Sequence, residues 1–362
     1  MKLAVFKPYN ARPNNAFDSG QYPIFKKLQD ENICEVTFFL DDESVKFEGV
    51  QNRYIKVNKC ITFINKVLRK IFKIKYIKIP YYGNIDFNEY DIIMTEGFHY
   101  PFLKYFEDFH GKLIINDTIT AENRISKLDS DYINKKFSNA KIIVVNGKIP
   151  LLFNKYNIDL ECEVIGHALQ LDKIPFKERK KFNGKILSIG RFVKEKGYIY
   201  IFKAMKKLVK KYPNITLDIY GSGPLKDDLY KYIIKNNLEN NIDFKGFIAY
   251  DELLSKLNEY DLFISHPLEM NYIAEAFHMG NMEAMANGMP LITTDCGGVP
   301  YIVKDKAFVG KQYDVEYIID KISLLIEKTD LLNKMSLNGR KFIENEYGLD
   351  VIYNKWKKLI IE

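Results

Sequence analysis

The sequence predicts an α/β protein made of two doubly wound parallel sheets, and three observations predict it. Short apolar strands alternate with amphipathic helices from Leu3 onward, the pattern of parallel strands covered by helices on both faces. The alternation restarts at Lys185, after a polar stretch from Leu171 to Asn183 that contains Pro175 and reads as a linker. The chain has 362 residues, enough for two domains. The expected domains are residues 1–172 and 184–348, followed by a terminal helix over 349–362.

The first half opens with a strand, Leu3 to Phe6. A polar loop from Pro8 to Gly20 leaves its carboxyl end, the end at which such sheets bind ligands. A helix from Tyr22 to Glu31 and a strand from Val36 to Leu40 follow. From Gly49 to Ile85 there is no acid, and Arg53, Lys56, Lys59, Lys66, Arg69, Lys70, Lys73, Lys75 and Lys78 are all basic. Within it Ile61, Ile64, Val67, Leu68, Ile71 and Phe72 recur at helical spacing. Such a basic amphipathic helix suits an anionic membrane surface; it suits equally the flank of the domain's own sheet. Asp91 to Gly97 reads as a strand running into a loop with His99 just beyond it, and further strands are expected at Lys112 to Ile115 and Ala140 to Val145.

In the second half, Lys185 to Ile189 is a strand, Gly190 to Gly197 a turn, and Tyr198 to Lys211 a helix. Strand, glycine turn and helix start form a phosphate-binding context, and Arg191 and Lys196 add two cations to it. Ile215 to Tyr220 is a strand ending in Gly221-Ser222-Gly223-Pro224. Lys226 stands at the third glycine position of a dinucleotide fingerprint, which weakens a dehydrogenase reading. Ile242 to Phe247 is the next strand and turn, Asp261 to Ser265 leads into the stretch that follows, and a final helix from Asp350 to Ile361 carries Trp356.

The stretch from Ser265 to Pro300 organises this half. Glu275 and Glu283 are separated by seven residues. An acid favours a helix N-terminus, so Glu283 is expected to begin a helix running to Ala286. Asn287-Gly288 caps its end, Pro290 stops it, and Leu291 to Thr294 forms a buried strand before the turn Cys296 to Pro300.

Composition bounds the function. With 47% hydrophobic and 28% charged residues the chain is an ordinary globular one. The net charge of +7 favours anionic partners such as nucleotide phosphates or a membrane surface; no recognition motif or aromatic platform supports nucleic acid. Cys34, Cys60, Cys162 and Cys296 form no C-x-x-C pair, which argues against a disulfide framework or zinc site and for a reducing compartment. The first apolar run is too short for a signal peptide, and no apolar segment is long enough to cross a bilayer, so a cytoplasmic location is expected. No Asp-x-Asp pair offers itself as a metal site: Asp41-Asp42 and Asp227-Asp228 are adjacent pairs.

Glu275, seven residues, Glu283-Ala284-Met285-Ala286, Gly288, Pro290 and Gly297-Gly298-Val299-Pro300 together resemble the donor-site signature of family 4 glycosyltransferases with the GT-B fold. The likeness covers nearly the whole chain, most strongly residues 185–303. It implies two Rossmann-like domains facing across a cleft, with the C-terminal helix crossing back onto the first. It implies a nucleoside-diphosphate sugar as donor, a glycan or lipid-linked acceptor, no cofactor, no metal, and retention of configuration. By this resemblance Glu283 holds the ribose hydroxyls and Glu275 contacts the transferred sugar. The backbone of Phe277, His278, Met279 and Gly280 meets the donor, and Arg191 and Lys196 grip its diphosphate. Gly190, Gly221, Gly223 and Gly20 belong to the glycine turns around it. The family often has a histidine at two first-domain strand ends, where this chain has Glu96 and Asn116; His99, three residues further on, is the candidate replacement. Ala276 replaces a usual glycine, Asn281 a usual apolar residue, and His167-Ala168 a usual Asn-Gly pair. The losses in the first half keep open a non-catalytic protein that binds a nucleotide or glycan, or a phosphorylase or epimerase on the same fold.

Overall fold

The computed structural model describes residues 1–7, 21–40, 42–57, 81–82, 85–97, 103, 106–107, 109–118, 121–271 and 273–362. The expectations for Gly20, for His99 and for the amphipathic stripe from Ile61 to Phe72 lie outside these residues. The chain forms two compact units. The first comprises Met1–Ile119, Arg124–Ala168 and Leu349–Glu362, and the second Thr120–Asn123 and Leu169–Gly348.

The first unit holds a seven-stranded sheet made of β1 (Lys2–Lys7), β2 (Glu35–Leu40), β3 (Gln51–Tyr54), β4 (Ile92–Glu96), β5 (Lys112–Asp117), β6 (Lys141–Val144) and β7 (Cys162–Val164). The order is β3-β2-β1-β4-β5-β6-β7 and every pair is parallel. Residues Val36 to Leu40 of β2 are all buried, as expected for a strand covered on both faces. Helix α1 (Tyr22–Asp30) has Pro23 in its first turn, where a missing N–H costs nothing, and buries Ile24, Phe25 and Leu28. The last helix of the chain, Leu349–Ile361, belongs to this unit. Its Trp356 is buried edge-on against Phe25, with ring centroids 5.4 Å apart. Lys27–Asp350 (2.6 Å) and Lys357–Glu31 (3.0 Å) lie at the rim of that contact. Truncating a buried ring of this size typically costs about 3–5 kcal/mol, so Trp356 ties the end of the chain to α1 far more firmly than the exposed ion pairs do.

The second unit repeats the architecture with β8 (Lys185–Ile189), β9 (Thr216–Tyr220), β10 (Ile242–Gly246), β11 (Leu262–Ile264), β12 (Leu291–Thr294) and β13 (Phe308–Gly310), in the order β10-β9-β8-β11-β12-β13. All pairs are parallel, and β8 registers Lys185 on Thr216 on one side and Ile186 on Leu262 on the other. Helices α2 (Tyr198–Lys211), α3 (Tyr250–Lys256), α4 (Met279–Ala286), α5 (Val315–Glu327) and α6 (Thr329–Tyr347) cover it. Its core gathers Ile186, Phe202, Leu217, Ile264, Ile292 and Ile322. The strand order reverses between β8 and β11, and the carboxyl ends of the strands at such a reversal are where open α/β sheets place their ligands.

Two expectations are corrected here. Residues 171–183 are not a free linker: Leu169–Gly348 is one unit, and Arg179 is only 1% exposed. Its guanidinium donates to the carbonyls of Leu257 (3.0 Å), Tyr260, Lys177 and Asn287, a planar fork that gathers four backbone carbonyls around one charge. Burial pushes its pKa down to about 10, so it stays charged. Second, Glu283 does not begin its helix. α4 starts at Met279, and His278 is the capping residue, its Nδ1 accepting from the amide of Asn281 at 3.2 Å. The end of α4 agrees with the sequence: Asn287 caps it and Gly288 turns with φ of 85°.

Candidate active site

The loops from β8 and β11 meet at the reversal point. After β8 the chain makes one tight turn, Lys194–Lys196, and enters α2 through Gly197. Gly197 has φ of 61°, and a Cβ there would lie 2.1 Å from the carbonyl oxygen of His266. Only glycine lets the phosphate-type turn press against the loop from β11. The amide of Leu268 donates to the carbonyl of Glu195 at 2.8 Å and fixes the contact.

This brings Lys196 to Glu275, 79 residues away, with Nζ 2.6 Å from Oε2. Each side chain is 19% exposed. The backbone of Glu275 is clamped from the far side: its carbonyl accepts from the amide of Gly298 at 2.7 Å. A Cβ on Gly297, which has φ of 57°, would lie 2.2 Å from that same carbonyl. The turn Cys296 to Gly298 is therefore the mould in which Glu275 is set. Burial opposes ionisation of Glu275, yet His278, Lys196 and Arg191 outweigh it and hold the carboxyl below the usual carboxylate range. Burial pushes His278 itself down to about 4, so its charge acts on Glu275 only in the acid range, and at neutral pH the cations facing that carboxylate are Lys196 and Arg191. Arg191 stands at the edge, its side chain 73% exposed and 3.6 Å from Glu195.

α4 begins just beyond Glu275. Capping by His278 takes the amide of Asn281, the third of the helix, and leaves the amides of Met279 and Gly280 without an intrahelical acceptor. These amides carry the positive end of the helix dipole and follow directly on His278, whose ring interacts with both Glu275 and Lys196. The unusual Asn281 is explained by packing: Ser265 Oγ donates to its Oδ1 at 2.8 Å and meets Thr293 Oγ1 at 2.9 Å, a buried polar knot joining α4 to β11 and β12.

One turn further, Glu283 is only 5% exposed. Its Oε1 accepts from the Tyr250 hydroxyl at 2.9 Å. Burial pushes its pKa up to about 7, the hydrogen bond from Tyr250 opposing part of the rise.

Lys196, Glu275, His278, Met279 and Gly280 thus come together, with Arg191 at the rim. Phe277 turns away, buried edge-on against Tyr347 at 5.6 Å. Gly190, Gly221 and Gly223 sit where strand ends nearly touch: a Cβ on Gly221 would lie 2.0 Å from the Gly190 carbonyl, and one on Gly223 2.7 Å from the Phe192 amide. Close backbone approach is enough to require glycine there. In the first unit Asn116 is buried at the end of β5, its Nδ2 3.5 Å from Gln21 Oε1. Sequence reasoning missed Tyr250, which no spacing links to Glu283, and the capping role of His278. Among the described residues no group of three His, Cys, Asp or Glu could hold a metal ion.

Residues 171–342 match the family described as "Glycosyl transferases group 1". The matched stretch, just under half of the chain, is similar to the domains of that family. The sequence is 30% identical over 187 residues to an uncharacterized glycosyltransferase of Haemophilus influenzae, covering 51% of each chain. It is 31% identical over 163 residues to the poly(glycerol-phosphate) alpha-glucosyltransferase of Bacillus subtilis, covering 44% of this chain and 23% of that one. The chain therefore spans about half, or less, of the length of these two relatives. Among solved structures it is similar to Anabaena HepE in complex with UDP, at a TM-score of 0.77 and 15% identity over 100% of both chains, and to the same protein in complex with UDP-glucose at 0.73. The fold is GT-B, and the residues matched by the family lie mainly in the second of its two parallel-sheet units.

Proposed function

We propose that the chain is a retaining glycosyltransferase that moves a hexose-type sugar from a nucleoside-diphosphate sugar to a glycan or lipid-linked acceptor. The observation that carries the reading is the Lys196–Glu275 pair, set at the reversal point of the sheet near the N-terminal amides of α4. Breaking a glycosidic bond to a diphosphate moves charge onto the leaving phosphate. Lys196, Arg191 and the amides of Met279 and Gly280 supply preorganised positive charge for it without calling on a metal. Glu275, kept ionised, accepts hydroxyls of the sugar, and Glu283 accepts those of the ribose. The UDP and UDP-glucose held by HepE support a nucleotide-sugar donor, and the family resemblance supports retention.

The test is a thermal-shift screen of nucleotide sugars followed by a transfer assay. A donor at a hundred times its Kd should stabilise the protein by about 2.7 kcal/mol. Glu275→Gln should keep nucleoside-diphosphate affinity and lower turnover by about a hundredfold. A screen in which no nucleotide sugar stabilises the protein or is turned over ends the reading.

A lipid-linked acceptor would be met at an anionic membrane surface, and the acid-free run from Gly49 to Ile85 supports that finer proposal. No helix among the described residues is long and apolar enough to cross a membrane. Vesicles with anionic lipid should therefore pull the protein down, neutral ones should not, and salt should release it. Changing Lys66, Arg69, Lys70 and Lys73 to Gln should remove most of the binding. Equal behaviour with both vesicle types would leave a soluble glycan as the acceptor.

A further inference from the structure

We infer that Tyr250 is the positioning residue for Glu283: its phenol holds one carboxylate oxygen so that the remaining acceptor sites face the ribose of the bound nucleotide. The inference rests on the donor reading above. Tyr250 is the first residue of α3, and Ala249 before it gives that helix no side-chain cap. The residue is 38% exposed while its hydroxyl reaches a carboxylate that is nearly fully buried. Tyr250 therefore covers Glu283 from the solvent side and puts one polar atom inside.

Among the described residues nothing else nearby serves Glu283. On α3, Asp251 and Glu252 are exposed. On α6, which packs on α4, Arg340 is spent on the Ala286 carbonyl at 2.9 Å and on Glu344 at 2.6 Å. From β11 and β12, the hydroxyls of Ser265 and Thr293 serve Asn281 and each other, and Thr294 donates to the Pro267 carbonyl. Burial and Tyr250 are the influences on the acidity of Glu283, which stands near 7. An ionised carboxylate has about four acceptor sites, of which Tyr250 occupies one. Two vicinal hydroxyls can take others without displacing it. A neutral donor in that place favours the charged form, the form that can accept both hydroxyls, and fixes the rotamer at the same time.

The experiment is calorimetric titration of wild type and Tyr250→Phe with uridine, guanosine and adenosine diphosphates from pH 6 to pH 9, using whichever binds wild type best. Each is compared with its 2′-deoxy form. Wild-type affinity should fall as pH drops through about 7. In Tyr250→Phe the midpoint should move to higher pH, affinity at pH 7 should fall about tenfold, and the loss should shrink by pH 9. The preference for ribose over 2′-deoxyribose should narrow as well. A purely structural tyrosine would lower affinity equally at every pH and leave that preference intact, and this result overturns the inference, as does a variant matching wild type throughout. If wild type binds none of the three diphosphates, the donor reading itself falls.

Discussion

Lys196→Ala is expected to lower nucleoside-diphosphate affinity about a hundredfold while leaving the bare nucleoside nearly untouched. The ammonium lies at the mouth of the glycine turn and meets no group that would contact a base or ribose, because Glu283 is served by Tyr250 instead. A charge-assisted bond to a phosphate in a partly desolvated site is worth about 1.5–3 kcal/mol, which converts to one or two decades. Turnover should fall further than affinity, since the same change strips Glu275 of its counter-ion. Burial then acts on that carboxyl with less opposition, so its pKa should rise, and the pH below which activity is lost should move upward. Isothermal titration with nucleoside and nucleoside diphosphate, joined to a pH–rate profile, separates the two effects. Equal loss for both ligands, or an unchanged acid limb, would show that Lys196 does not face the phosphates.

Much of this site could be read from the sequence because its parts are local. The strand Lys185 to Ile189 and the helix Tyr198 to Lys211 fall where periodicity and the glycine turn put them, and Leu291 to Thr294 is a strand as expected. The start of α4 could not be read in the same way. Its residues from Asn281 to Ala286 are all buried, so it lacks the polar face that marks a helix in sequence, and its cap is a histidine rather than a Ser, Thr, Asp or Asn. The rule that an acid marks a helix start then placed the boundary at Glu283, four residues late. Arg179 was hidden for a related reason. A charged residue in a Lys-rich stretch reads as solvated, and only the fold shows the ring of carbonyls that takes it in. The pairings Lys196–Glu275 and Tyr250–Glu283 join loops from different strands. No local pattern encodes them; the strand order does.

Glu283→Gln is expected to make the free protein more stable above neutral pH while removing nucleotide binding. In the folded chain the Glu283 carboxyl has its pKa raised to about 7, against an ordinary value of 4.5. Between those values the native state holds a proton that the unfolded chain has released, so stability falls as pH rises through that window and stays low above it. Each tenfold change in proton affinity between the two states is worth about 1.36 kcal/mol, which makes the full penalty about 3 kcal/mol. Glutamine cannot ionise, keeps the shape, and can still accept from Tyr250. Its melting temperature should match wild type at pH 4.5 and exceed it by roughly 5 °C or more at pH 8, given about 2–4 °C per kcal/mol for a unit of this size. Nucleoside-diphosphate affinity at pH 8 should drop at least about a hundredfold, because a neutral amide offers one acceptor atom where the carboxylate offers two charged ones. A stabilised protein that no longer binds is the signature of a carboxylate buried for function at a cost in stability. If Glu283→Gln instead melts lower at pH 8 and binds nucleotide as wild type does, Glu283 is a structural acid and the ribose is held elsewhere.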